Sequence, residues 1–139
     1  MTTAREIMHQ GAQCVGEHES LQAAARMMRE LDVGVLPICG DDNRLHGMLT
    51  DRDIVVKCLA EGKDPAITEA RALARGKPFW VSVDADVRDV LAMMREHQVR
   101  RLPVIDDHQL VGIITEADIA SHLPPEQVGR FVESVTTIN

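Results

Sequence analysis

Hydrophobic residues recur at helical spacing in two separate stretches of the chain. From Leu21 the apolar positions fall at i, i+3, i+4, i+7 and i+10, which predicts a helix with Ser20 as its N-cap. Val87 begins a second stripe of the same kind, which ends at His97. Each stripe is followed by two short apolar runs with polar turn residues between them, a pattern typical of paired strands.

The short apolar runs predict the strands. In the first half we expect strands near Gln13–Gly16, Val33–Cys39 and Leu45–Thr50, and then a helix over Asp51–Ala60. In the second half we expect strands near Phe79–Val83, Arg101–Ile105 and Leu110–Thr115. Pro37 lacks an N–H group for a ladder, so it predicts a sheet edge or a strand start.

The two halves are copies of each other. Residues 21–39 align with 87–105 at an offset of 66, and residues 41–54 align with 106–119 at an offset of 65, with 14 identities in 33 pairs. The match extends upstream, where Ala4 and Arg5 align with Ala70 and Arg71. Two long copies favour a pseudo-two-fold pair over a solenoid, which needs three or more units. Function is therefore expected at the seam between the copies.

These patterns predict an α+β fold of two β-α-β-β-α repeats that pack through their sheets. We divide the chain into repeat 1 (1–60), a linker (61–66), repeat 2 (67–123) and a C-terminal helix (124–139). A single repeat of this size would be marginal alone, and two repeats that share a core overcome this limit.

Charge and hydropathy narrow the classes of partner. The formal net charge is −7 and no run of basic residues is present, which argues against nucleic acid and anionic membranes as partners. The first ten residues lack the apolar region of a secretory signal, and no stretch of 18 apolar residues could span a bilayer. We therefore expect a soluble, cytoplasmic protein.

The most specific local pattern is G-h-h-T-x-x-D, where h is hydrophobic. It occurs at Gly47–Asp53 and again at Gly112–Asp118, each time at a predicted strand-to-helix junction. A carboxylate there can accept two hydrogen bonds from vicinal ribose hydroxyls, and a phosphate can lie over the first N–H groups of the helix. The alternative is a capping box, in which Thr is the N-cap and Asp folds back onto the backbone. Its repetition at matching places shifts the balance towards a ligand.

Together these features resemble a pair of CBS domains, the Bateman module. The likeness rests on the repeated unit, on the two apolar-Pro strands (Leu36–Ile38 and Leu102–Val104) and on the doubled motif, and it covers Thr3 to Leu123. The runs LHGMLTDRDIV and HQVRRLPVI are nearer to the stand-alone two-CBS proteins of actinobacteria. The resemblance implies two clefts that often bind AMP, ADP or ATP, and sometimes S-adenosylmethionine.

The resemblance also implies roles for particular residues. Asp53 and Asp118 would hold ribose hydroxyls, and Thr50 and Thr115 would bond ribose or phosphate. Apolar residues beside the strands would sandwich the base: Val15, Leu36, Val81 and Leu102. Phosphate would be held by Arg100 and Arg101. The first repeat has Gly34 and Val35 at the positions of these arginines, so the two sites are not equivalent.

Other reactive side chains give weaker signals. The three cysteines match neither a disulfide framework nor a zinc spacing, but Cys14 and Cys39 lie near two strands of one repeat and form a candidate redox pair. The histidines match no metal motif and are expected to be solvated: His9, His18, His46, His97, His108 and His122. No nucleophile and base converge in a recognisable motif, so we predict neither an enzyme nor a metal site.

Three functions remain open at this point. The first is a non-enzymatic regulatory protein of a stress or energy response that forms a homodimer, senses an adenine nucleotide at the clefts between the repeats and acts on an unidentified protein partner. The second is a ligand-free scaffold dimer for interaction or stress. The third is a redox-responsive protein that uses Cys14 and Cys39.

Overall fold

The computed structural model describes residues 2–74 and 78–135. The chain divides into two compact units. Unit 1 comprises Met1–Ala12 and Phe79–Asn139, and unit 2 comprises Gln13–Pro78. Each unit combines a small sheet with helices, so the predicted α+β class is confirmed.

The elements are numbered along the chain. The strands are β1 (His9–Gln10), β2 (Val15–Gly16), β3 (Val35–Cys39), β4 (Leu45–Thr50), β5 (Val81–Ser82), β6 (Arg101–Asp106) and β7 (Gln109–Thr115). The α-helices are α1 (Ala4–Ile7), α2 (Leu21–Leu31), α3 (Asp51–Ile54), α4 (Val87–His97), α5 (Glu116–His122) and α6 (Pro125–Val135). A π-helical segment, Val55–Leu59, continues α3, and Ala70–Leu73 form a 3₁₀ helix.

Unit 2 contains a three-stranded sheet in the order β2-β3-β4. The β2 and β3 strands are parallel, whereas β3 and β4 are antiparallel. The Ser20 hydroxyl accepts the Ala23 N–H at 3.0 Å, which confirms the predicted N-cap of α2. The apolar stripe of α2 supplies Leu21, Ala24 and Met28 to the core of the unit.

Unit 1 contains a four-stranded sheet in the order β1-β7-β6-β5. Asp86 caps α4, because its carboxylate accepts the Arg88 N–H at 2.9 Å. The helix turns Val87, Val90 and Met94 towards the core. Phe131 and Val135 of α6 are buried in the same cluster, so the predicted C-terminal helix packs on unit 1.

The compact units differ from the sequence repeats in their lead segments. The Ala4 N–H donates to Ala85 O at 2.8 Å, and β1 pairs with β7, so the start of the chain belongs with the second repeat. In unit 2 the Ala70 N–H donates to Glu19 O at 2.7 Å in the same way. The two bonds are equivalent at the offset of 66. Each unit therefore takes its lead helix from the other repeat.

The placement of Pro37 corrects one prediction. Pro37 lies in β3, which is the central strand of its sheet and not an edge. The ladder between β2 and β3 starts only at Ile38, opposite Val15, so at Pro37 the strand pairs with β4 alone. The missing N–H is therefore tolerated inside a central strand. Pro103 in β6 repeats this arrangement, because the ladder with β5 starts at Val104.

Candidate functional site

The motif of repeat 1 forms the junction between β4 and α3 in unit 2. Thr50 is the N-cap, and its hydroxyl accepts the Asp53 N–H at 3.0 Å. Asp53 Oδ2 accepts the Thr50 N–H at 3.0 Å, which completes a capping box. The other carboxylate oxygen, Oδ1, lies 3.1 Å from Nζ of Lys57, one turn further along. The side chain of Asp53 keeps 22% of its surface exposed.

The pKa of Asp53 lies below its ordinary value of 3.8. Burial would raise this pKa, but hydrogen bonds from the Thr50 backbone and hydroxyl, together with the Lys57 ammonium, outweigh it. The carboxylate is therefore ionised at neutral pH, with one oxygen held by the backbone and the other on an exposed ion pair.

The motif of repeat 2 forms the junction between β7 and α5 in unit 1, and it is more enclosed. Asp118 Oδ2 accepts both the Thr115 N–H at 2.8 Å and the Thr115 hydroxyl at 3.0 Å. Asp118 Oδ1 lies 2.7 Å from Nε2 of His9, on β1. Only 5% of the Asp118 side chain is exposed. Both oxygens of this carboxylate are thus occupied within the unit.

The capping boxes show that the repeated Thr–Asp pattern has a structural role at both junctions. The glycine that begins each motif has a structural role as well. A Cβ on Gly112 would lie 2.6 Å from Met8 Sδ, and a Cβ on Gly47 would lie 3.0 Å from Ala74 Cβ. Met8 and Ala74 are equivalent at the offset of 66. Gly47 and Gly112 are therefore required for the lead segments to lie close to the strands.

The two predicted phosphate ligands have different environments. Arg100 is engaged within unit 1: its Nη2 donates to Val135 O at 3.3 Å, and its Nε lies 3.4 Å from Glu116 Oε1 without hydrogen-bond geometry. Arg101 is exposed at the start of β6 and stands opposite Thr115 in the ladder. Within residues 2–74 and 78–135 it forms no ion pair. The structure thus brings Arg101, Thr115 and Asp118 to one end of the β6–β7 hairpin.

The four residues predicted to sandwich a base are buried. Each is at most 5% exposed and lies in the hydrophobic core of its own unit: Val15, Leu36, Val81 and Leu102. Packing in the core accounts for their apolar character, and their contact with a base stays a prediction.

The cysteine pair is joined. Cys14 and Cys39 form a disulfide whose Cα atoms are 5.7 Å apart. Cys14 immediately precedes β2 and Cys39 ends β3, and the parallel pairing of these strands sets Gly16 opposite Cys39. The proximity predicted for these residues is therefore confirmed, whereas Cys58 is a buried free thiol.

Several histidines are less isolated than their sequence context suggests. His9 contacts Asp118. In unit 2 the imidazoles of His18 and His46 form a side-chain network with the carboxylates of Glu17 and Glu69. His46 Nδ1 lies 2.6 Å from Glu17 Oε2, and His18 Nδ1 lies 3.1 Å from Glu69 Oε2. Among the described residues no three His, Cys, Asp or Glu side chains meet in a metal-binding group.

Sequence reasoning missed His9 and Lys57 as partners of the motif carboxylates. Lys57 had a local signal, because residues four apart share a helix face. His9 had none, since its approach to Asp118 depends on the pairing of β1 with β7.

An open apolar groove of 390 Å³ lies on unit 2, between α2 and the helical segment that begins at α3. It is lined by Ala25, Met28, Arg29, Val33, Asp51, Ile54, Val55 and Leu59. Three of these apolar side chains are strongly exposed: Val33 (40%), Val55 (55%) and Leu59 (53%). No helix in the described part of the chain is long and apolar enough to cross a membrane.

Comparison with known proteins gives relatives along the whole length. The chain is 60% identical over 135 residues to Hypoxic response protein 1 of Mycobacterium tuberculosis (strain ATCC 25618 / H37Rv), covering 97% of this chain and 94% of that protein. It resembles the crystal structure of Hypoxic Response Protein I with two coordinated zinc ions at 63% identity and a TM-score of 0.83, covering 88% of this chain and 100% of that one.

A more distant structure contains ligands. The CBS domain pair of protein MJ0100, in complex with 5-methylthioadenosine and S-adenosyl-L-methionine, matches with a TM-score of 0.73 and 25% identity, covering 87% of this chain and 94% of that one. The CBS domain model itself matches residues 4–59 and again residues 70–125. With both repeats matched, the chain belongs to the CBS domain family.

Proposed function

We propose that this chain is a non-enzymatic regulatory protein that senses an adenine nucleotide in a stress or energy response. The observation that carries the proposal is the doubled Thr–Asp junction, which retains a partly exposed, ionised carboxylate at Asp53. A CBS pair in complex with adenosine-containing ligands supports the ligand class. Kinship with a hypoxic response protein supports the setting. We place the protein in the cytoplasm, acting on a protein partner yet to be identified.

Asp53 is the better ribose ligand of the two. Among the described residues its Oδ1 is bound by Lys57 alone, in an exposed ion pair that contributes little free energy, so ribose hydroxyls can displace the ammonium at small cost. The displaced Lys57 would then be free to approach a phosphate. Asp118 would have to give up the 2.7 Å contact with His9 before it could accept a ribose. The Asp53 junction is therefore the site we expect to bind first.

The phosphates need cations. At the Asp53 junction Arg52 is exposed on α3, and at the Asp118 junction Arg101 stands opposite Thr115. Arg100 would contribute only after release from Glu116 and from the carbonyl of Val135. We therefore assign the phosphate role to Arg101 ahead of Arg100.

The test is calorimetric titration of the reduced and the oxidised protein with AMP, ADP, ATP and S-adenosylmethionine. Asp53→Asn and Asp118→Asn form a matched pair, because each keeps the size of the side chain and removes its charge. We expect binding to weaken about tenfold or more in Asp53→Asn and to change little in Asp118→Asn. Absence of binding by the wild-type protein to all four ligands would contradict the sensor proposal and leave the scaffold function.

We further propose that the chain forms a homodimer through the groove of unit 2. An apolar surface of this kind on a folded protein indicates an interaction site. The groove carries one cation and one anion, Arg29 and Asp51, beside its apolar centre. About a two-fold axis, Arg29 of one copy can face Asp51 of the other copy, and the reverse. The groove is therefore complementary in charge to the same groove of a second copy.

Sedimentation velocity tests the dimer. Leu59→Asp places a charge in the groove and is expected to convert the dimer to a monomer. Ile67→Asp is the matched control, because Ile67 is 80% exposed and does not line the groove. A wild-type monomer, or a dimer that survives Leu59→Asp, would contradict the proposed surface.

A redox response is the second candidate function, and the Cys14–Cys39 disulfide favours it. Disulfides are uncommon in the cytoplasm, and those that form there are usually regulatory or catalytic. Equilibration in glutathione buffers, followed by alkylation and mass spectrometry, would give the reduction potential. A potential close to the cytoplasmic range supports a switch, whereas a value below about −300 mV would indicate a purely structural bond.

Zinc is not assigned a role here. The related Hypoxic Response Protein I structure contains two coordinated zinc ions. In the described ranges of this chain no three candidate ligands converge within one molecule, so its residues do not fit a zinc ion as they stand, and we propose no zinc-dependent step.

A further inference from the structure

The helical face of unit 1 is the counterpart of the unit 2 groove. At the offsets of 66 and 65, the groove residues Met28, Val33 and Ile54 correspond to Met94, Val99 and Ile119. The charged pair is also repeated, because Arg29 and Asp51 correspond to Arg95 and Glu116. The two faces therefore share an apolar centre and a rim with one cation and one anion.

The two faces differ in what covers them. In unit 1 the amphipathic helix α6 contacts both α4 and α5, and it buries Phe131 and Val135 to 3% and 0% exposure. Met94 and Ile119 are fully buried there, and Val99 is half-buried. In unit 2 the equivalents Met28 and Ile54 are also buried, at 6% and 7% exposure, but Val33 stays 40% exposed.

Arg100 gives unit 1 an anchor for this helix. Its guanidinium bonds the carbonyl of Val135, at the end of α6, and lies beside Glu116. A cation at the C-terminal end of a helix is favourable, since it complements the exposed carbonyls. The equivalent residue in unit 2 is Gly34, which cannot make such a contact and lies against Asp51. The anchor is therefore specific to the face that α6 covers.

We propose that α6 is an intramolecular cover that blocks a second self-association face on unit 1. With the cover in place the chain has one face available for self-association, in unit 2, and its assembly stops at the dimer. Without it the chain has two, and the partner for the uncovered face is the same face of another copy. This inference rests on the homodimer proposed above for its starting state, but the unit 1 face can be tested independently.

The experiment compares sedimentation velocity of the full chain, a chain ending at Leu123 and the variant Phe131→Ala. Val132→Ala is the matched control, because Val132 lies on the same helix and is 41% exposed. We expect truncation at Leu123 and Phe131→Ala each to raise the weight-average mass by about twofold or more at high concentration, and Val132→Ala to leave it unchanged. A peptide of residues 124–135, added in excess, should reverse the effect, and so should Leu91→Asp in the truncated chain.

The outcomes separate the two proposals. A monomeric full chain would contradict the unit 2 dimer, while self-association of the truncated chain would still support the cover. A full-chain dimer whose mass is unchanged by truncation and by Phe131→Ala would overturn the cover and leave the dimer. Larger species that neither the peptide nor Leu91→Asp reverses would be aggregates, which also overturns it. If neither variant melts cooperatively, α6 belongs to the core and is not a cover.

Discussion

His9 lies against the carboxylate of Asp118, and its Nε2 is 2.7 Å from Asp118 Oδ1. The two residues are far apart in the chain and meet because β1 pairs with β7. Thr115 donates two hydrogen bonds to the same carboxylate. Both oxygens of Asp118, the motif aspartate of the second repeat, therefore have partners within its own unit. The second oxygen of the equivalent carboxylate, Asp53, lies in an ion pair with the exposed Lys57. The two junctions thus share a motif and differ in availability.

The first prediction concerns the stability that this contact provides. His9→Ala leaves a buried carboxylate oxygen without its partner, and we expect a loss of about 1–3 kcal/mol in the free energy of unfolding. Urea denaturation followed by circular dichroism measures it. Gln10→Ala is the control, since Gln10 is the exposed neighbour in the same strand. Equal stabilities of the two variants would mean that the contact adds nothing to the fold.

A second prediction follows from the motif glycine. A Cβ at Gly112 would meet both the His9 carbonyl and Met8 Sδ at 2.6 Å, so Gly112→Ala must push the lead segment away from β7. We expect a cost of roughly 1–3 kcal/mol, together with faster amide exchange in β1. Gly129→Ala on α6 meets nothing within 4 Å and should stabilise by up to about 1 kcal/mol. Unchanged exchange in β1 of Gly112→Ala would contradict the steric argument.

Local features of this fold could be predicted from the sequence. The N-cap at Ser20 and the span of α2 follow from residues within one helix, and the capping boxes follow from residues three apart. The disulfide could be proposed because Cys14 and Cys39 flank strands of one repeat. The caps and the helix depend on short-range geometry, for which spacing alone carries the information, whereas the disulfide also depends on the pairing of β2 with β3.

Features that depend on tertiary pairing could not be predicted. The lead segments align with the repeats in sequence, yet each packs in the unit of the other repeat, because the backbone bonds from Ala4 and Ala70 are made across long chain separations. The position of Pro37 inside a central strand depends on where β2 happens to start. For the candidate site, the motif located the carboxylates, but only the fold distinguishes the exposed Asp53 from the enclosed Asp118.

The third prediction is a pH dependence that Asp53 confers. Its pKa in the folded chain is below the ordinary 3.8, so the folded state binds fewer protons than the unfolded state does at the same pH. Its contribution to stability is therefore fully present above pH 3.8 and is lost as the pH falls through the lower folded pKa. Asp53→Asn should flatten this part of the stability curve. Asp41→Asn, in an exposed turn, is the control, and a wild-type stability curve with the same slope as that of Asp53→Asn as the pH falls below 3.8 would contradict the assignment.

The last prediction concerns the disulfide as a stabilising link. Cys14 and Cys39 are 25 residues apart, and closing a loop of this length restricts the unfolded chain by roughly 3–4 kcal/mol in the chain-entropy model. Reduction should therefore lower the melting temperature, which scanning calorimetry with and without reductant would measure. The variant with both Cys14→Ser and Cys39→Ser should melt like the reduced protein and show no further response to reductant. A melting temperature that is the same in both redox states would mean that the link adds no stability, because strain in the folded state then offsets the restricted unfolded chain.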